Sequence, residues 1–258
     1  TQRKTFDAFG RYWVFLATGS DIGYATSRNG WTWSGISTIG AGVATTSFDV
    51  DHFGSIVVLS WLVYTPYGSS SSLTKWYFWL GILNENGRIA WQGLPYSFAE
   101  VRLGFRWNPM PVSVAIGTDG SYWVGTTAPG SCSPSPCTPP AWIHIFRWDG
   151  LNPNGFVEVG VWATEMAYDT REALTIIALS GGEVRVVSSH QSSSSIRWRD
   201  YTGTGWVPVA GPSTLDILLP VYFAKEFLFS AVRDSGDAVH IVYKTAFGRL
   251  GYATLTSP

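Results

Sequence analysis

The residues that could do chemistry in this sequence are scattered along it. The carboxylates to weigh are Asp49, Glu100, Glu165, Asp169, Glu172, Asp216 and Glu226. Two carboxylates held about 5 to 10 Å apart can hydrolyse a glycosidic bond. Arg102, Arg106 and Arg171 could clamp an acidic ligand, because a guanidinium forks onto a carboxylate. Tyr67, Tyr96, Trp107 and Tyr222 could stack on sugar rings. Each group also has a structural alternative. Dispersed acids keep a surface soluble, arginines bridge neighbouring elements, and aromatics fill the space between sheets. The four histidines have no metal-ligand spacing, so no metal site is expected, and no cofactor is implied.

What must position these groups is legible in a repeat. A glycine, one polar residue and a short apolar run appear as Gly10-Arg11-Tyr12-Trp13-Val14 and again as Gly120-Ser121-Tyr122-Trp123-Val124. Looser copies start at Gly54, Gly182 and Gly236. Apolar runs precede several copies, as in Val112 to Ile116 and Leu174 to Leu179. Each glycine therefore reads as the tight turn of a hairpin. A third strand follows each copy, and the first and last of these share Gly-Tyr-Ala-Thr, at Gly23 to Thr26 and Gly251 to Thr254. After four of the five comes a glycine-bearing turn and an aromatic, Trp33, Trp91, Phe156 or Trp206, which is expected to open a fourth strand. Repeats of this size predict an all-β fold, a five-bladed β-propeller of four-stranded antiparallel blades, with six blades as the alternative. The blades fall at about 3–40, 44–93, 111–160, 172–211 and 226–258 of one domain. The last lacks sequence for a fourth strand, and Thr1 to Lys4 is the piece that could complete it. The nearest thing to a helix, Thr164 to Leu174, has no clean 3.6-residue period.

Loop lengths divide the faces of such a fold. The turns after first and third strands are short. The other connections are long: Thr65 to Thr74, Gln92 to Met110, Thr127 to Ala141, Gly160 to Glu172, Ser189 to Ser195 and Gly211 to Lys225. Function is expected on that elaborated face. The ligand-binding candidates there are Arg106, Trp107, Tyr96, Arg171 and Tyr222. The first strands line a propeller's axis, and two of them carry a carboxylate, Asp7 and Asp49. Asp7 and Asp51 sit three residues before a turn glycine, where capping is expected. Asp49 is the leading catalytic candidate, with Glu165 and Glu226 as loop acids that could join it.

The chain has 258 residues, 14 of them tryptophan, with 16% aromatic and 14% charged residues and a net charge of −1. That balance argues against an electrostatic grip on nucleic acid or an anionic membrane. No apolar run reaches the roughly 18 residues of a spanning helix. No leader segment is read at Thr1. Cys132 and Cys137 bracket two prolines in a polar loop, and a disulfide between them is expected over two free thiols. Together these features point to an extracellular, cell-surface or virion-surface setting.

Thr26-Ser-Arg-Asn-Gly-Trp-Thr-Trp33 resembles the Asp-box of sialidase-like propellers, Ser/Thr-x-Asp-x-Gly-x-Thr-Trp. Thr26, Gly30, Thr32 and Trp33 match; Arg28 occupies the aspartate position and Asn29 is the nearest substitute. Phe6 to Phe15 also resembles the opening of such propellers. The resemblance implies that this box is a structural hairpin away from the active site. The family's early Phe/Tyr-Arg-Ile-Pro motif is absent, since Lys4 and Thr5 follow Arg3, so no catalytic residue carries over. A weaker similarity links Ser195 to Trp206 with fucose-lectin-type propellers. The reading is a non-catalytic propeller that binds carbohydrate or a surface protein. The alternatives are a glycoside hydrolase and a structural module of a surface assembly.

Overall fold

All five repeat glycines lie in the turn between the first and second strand of a sheet. Gly10, Gly54, Gly120 and Gly182 take positive φ there, between 59° and 81°. In the fifth turn the left-handed residue is Asp237, at φ 63°, next to Gly236. The computed structural model describes residues 5–19, 21–40, 47–67, 71–103, 111–129, 141–150, 155–163, 174–190, 195–208, 213–216, 229–244 and 249–256. Cys132, Cys137, Thr1 to Lys4 and residues 164–173 lie outside them. The chain's contacts divide into two units, Thr1–Pro109 and Met110–Pro258.

The first unit holds two sheets. One runs β1 (Thr5–Ala8), β2 (Arg11–Ala17), β3 (Ile22–Ser27) and β4 (Ser37–Thr38) in spatial and chain order. The other runs β5 (Phe48–Phe53), β6 (Ile56–Tyr67), β7 (Ser71–Leu83) and β8 (Ile89–Trp91), with β9 (Tyr96–Leu103) also paired to β7. Trp13, Phe15, Tyr24, Phe48, Leu59 and Trp61 form a buried core shared by both sheets.

The second unit holds three. Its first sheet is β10 (Val112–Ile116), β11 (Tyr122–Pro129), β12 (Ala141–Trp148) and β13 (Val157–Ala163). Its second is β14 (Leu174–Ala178), β15 (Val184–His190), β16 (Ser195–Tyr201) and β17 (Trp206–Val207), with β18 (Ser213–Asp216) added to β16. Its third has three strands among the described residues: β19 (Phe229–Arg233), β20 (Val239–Lys244) and β21 (Leu250–Leu255). Neighbouring sheets share one core around Trp123, Ile145 and Val186 and another around Val187, Ile196 and Ile241. Five antiparallel sheets wound in this order are a five-bladed β-propeller.

The fourth-strand expectations need correction. Trp33 opens no strand, because β4 begins four residues later, and Trp91 closes β8. Trp206 opens β17 as expected, and Phe156 directly precedes β13. Most of Thr65 to Thr74, expected as a loop, is a ribbon, because β6 reaches Tyr67 and β7 restarts at Ser71. Gln92 to Met110 and Gly211 to Lys225 contain β9 and β18. These segments continue the fourth strand beyond an interruption. Gly81 faces Trp91 and Phe78 faces Tyr96, so the outer strand holds two extra residues.

In the second unit, turns of successive sheets are stitched together. The Thr118 hydroxyl donates to the Leu179 carbonyl at 3.3 Å and accepts from the Gly182 amide at 3.1 Å. Asp237 accepts from the Ser180 amide at 3.0 Å and from the Ser180 hydroxyl. The Ser180 hydroxyl bond, chiefly, holds Asp237 below the usual carboxylate range. Burial pushes the Asp119 carboxyl up, but bonds from the Ser121 hydroxyl and amide and the nearby Arg147 outweigh it, and its net shift is also downward. A carboxylate depressed in the folded state stabilises above its unfolded pKa, and that contribution fades as pH falls through the folded value. The urea midpoint should therefore drop as pH is taken from about 5 to about 3. Asp237→Asn should flatten this dependence; an unchanged slope in that variant would contradict the assignment.

Candidate functional site

The Asp-box hairpin is built by short polar side chains. At the end of β3 the Ser27 hydroxyl accepts from the amides of Asn29 (3.3 Å) and Gly30 (2.9 Å). Asn29 Oδ1 accepts from the amides of Trp31 and Thr32, both at 2.9 Å. Asn29 thus supplies the oxygen that an aspartate would give, and Arg28 is left to face solvent. The Trp33 indole donates to the Gly30 carbonyl at 3.2 Å. So braced, the turn presents Trp31 at 89% exposure and Trp33 at 43%, beside Tyr12 of β2 at 51%.

These three aromatics border a cleft of about 510 Å³, whose polar wall includes Asp7 and Asn29. Single exposed aromatics are ordinary, whereas three around one concavity mark a contact surface. A second cleft of about 530 Å³ shares Asn29 and Trp33 and is bordered by Arg11, Arg28 and Arg88. Arg11 Nε donates to the Glu85 carbonyl at 2.9 Å, which ties β2 to the turn after β7. Gly87, at φ 78°, lies under Arg11; a Cβ there would meet Thr26 Oγ1 at 2.8 Å and the Arg11 guanidinium at 3.4 Å.

Other candidates fall elsewhere. Asp49 lies in β5, opposite Ser60, at 6% exposure. Tyr96 opens β9 at 43% exposure, and neither it nor Asp49 borders these clefts. Glu100 pairs with Lys75 at 2.9 Å. Glu165, Glu226, Arg106, Trp107, Arg171, Tyr222, Asp169 and Glu172 lie outside the described residues. Asp7 faces the cleft, and its main chain bonds the His52 side chain. Turn amides are capped by Asp119, which accepts from the Ser121 amide, and by Asp234, which accepts from those of Gly236 and Ala238. Among the described residues no group of three or more His, Cys, Asp or Glu could hold a metal ion, and no helix is long and apolar enough to cross a membrane.

No family model matches the chain, and no curated protein does. Solved structures do. Trypanosoma rangeli sialidase, solved with the inhibitor DANA, superposes with a TM-score of 0.56 at 11% identity, over 97% of this chain and 46% of its own. A thermostable family-43 glycoside hydrolase gives 0.52 at 10% identity, over 98% and 88%. The fold is that of the sialidase-like β-propellers. An α-L-arabinofuranosidase from Fusarium graminearum, bound to an iminosugar inhibitor, gives 0.51 at 12% identity, over 95% and 70%. This propeller spans about half the length of the sialidase it matches. What it shares with all three is the fold.

Proposed function

We propose that this propeller is a surface or extracellular module that binds carbohydrate without cleaving it. The observation that carries the reading is the first cleft, where Trp31, Trp33 and Tyr12 expose aromatic faces beside polar groups. Sugars present apolar C–H faces and hydroxyl edges, and such a wall suits both. The long-loop residues Arg106, Trp107, Tyr96, Arg171 and Tyr222 are proposed as a second contact set. The competing reading, a glycosidase, draws on the glycoside hydrolases of like fold and on the buried carboxylate of Asp49, with Glu165 or Glu226 as its partner.

A glycan array run beside hydrolysis assays on sialyl, arabinosyl and fucosyl substrates separates the two. Binding without turnover is expected. Trp31→Ala and Trp33→Ala should each weaken binding about tenfold, with thermal melts unchanged for the exposed Trp31. Turnover abolished by Asp49→Ala would establish the glycosidase instead.

A further inference from the structure

Two sets of three arginines differ in how they are partnered. In the second unit Arg147, Arg185 and Arg233 each hold an aspartate, Asp119, Asp200 and Asp237, at 3.0, 2.7 and 3.2 Å. Around the second cleft, none of Arg11, Arg28 and Arg88 forms an ion pair with a described carboxylate. Glu85 meets Arg11 through its main-chain carbonyl. Three like charges thus border one concavity in a chain whose net charge is −1. Gathering them is unfavourable unless an anion answers them.

The guanidiniums adjoin the aromatic wall, because Trp33 and Asn29 belong to both clefts. We infer that the two clefts form one site for an anionic saccharide. Trp31, Trp33 and Tyr12 take the ring face, and Arg11, Arg28 and Arg88 take a carboxylate or sulfate on the same or the next sugar. Guanidinium is the side chain suited to this, since its planar fork meets two oxygens of either group. Gly87 keeps the space in front of Arg11 clear. The inference rests on the carbohydrate-binding reading and specifies the ligand class of that site.

The test is titration calorimetry on the full chain with four probes. These are an oligogalacturonate (carboxylate alone), a sulfated neutral oligosaccharide (sulfate alone), the unsulfated neutral oligosaccharide, and a single-stranded oligonucleotide. At low salt at least one anionic sugar should bind about tenfold or more tightly than the neutral one, and the two anionic arms tell carboxylate from sulfate. The preference should vanish in Arg28→Gln/Arg88→Gln, both solvent-facing positions, while neutral-sugar binding stays. Equal affinity for charged and neutral sugars overturns the anionic assignment and leaves carbohydrate binding intact. So does a preference that survives the double substitution. Tighter binding of the oligonucleotide than of every sugar, or binding of no sugar at all, overturns both.

Discussion

Arg185→Leu is expected to destabilise the second unit by about 3–5 kcal/mol. Arg185 is fully buried, and Nε and Nη2 both donate to the Asp200 carboxylate at 2.7 Å. Nη1 donates to the Leu255 carbonyl at 2.9 Å, so one side chain joins β15 and β16 to β21 of the next sheet. Removing it strands the buried Asp200 carboxylate and a main-chain carbonyl together. Leucine fills part of the volume and answers neither. For a unit of this size the loss amounts to a fall in Tm on the order of 10 °C. Arg185→Leu/Asp200→Leu should recover much of it, since the stranded charge is gone. A single variant that melts within about a degree of the parent would show that the ion pair is dispensable.

Trp123→Ala should cost a comparable amount, about 3–5 kcal/mol. Trp123 is fully buried, edge-on to Tyr201 at 5.0 Å, and the Arg147 guanidinium lies 5.2 Å above its ring. Its indole N–H donates to Ser121 Oγ at 2.8 Å, and that hydroxyl donates to Asp119. Alanine therefore leaves a cavity and removes a partner of the turn that β10 and β11 share. Tyr122→Ala, one residue away on the other face and half-exposed, should cost well under half as much. Urea unfolding with both variants checks this. Equal losses at the two positions would mean that burial does not set the cost of truncation on this strand.

The hairpins were legible because a backbone requirement has few chemical solutions. Gly10, Gly54, Gly120 and Gly182 need positive φ, which makes the repeat visible. The fifth copy shows the limit, because Asp237 carries the left-handed conformation beside Gly236. The fourth strands were not legible. β4 and β17 have two residues each, too few for a period of two to register, and β9 and β18 resume after interruptions rich in glycine and proline. Pro66, Ser71 and Ser72 look like parts of a loop, yet they lie on a ribbon held by cross-strand bonds. The cleft was hidden by its own motif. Trp31 and Trp33 read as parts of a structural hairpin, and Arg28 read as a departure from the pattern. That departure was the available signal, since a cation replaced an anion while Asn29 kept the turn.

The stitching of turns in the second unit bears on how these repeats could be rearranged. Thr118 completes the turn at Gly182, and Asp237 completes the turn at Ser180. The hairpin between β14 and β15 is thus finished by side chains of the sheets on either side, and that repeat does not carry everything its own turn needs. Excising or transplanting one blade would leave amides at Ser180 or Gly182 without acceptors. Moving the middle blade alone is therefore disfavoured unless both neighbours travel with it, and the three sheets should unravel in one cooperative step rather than blade by blade.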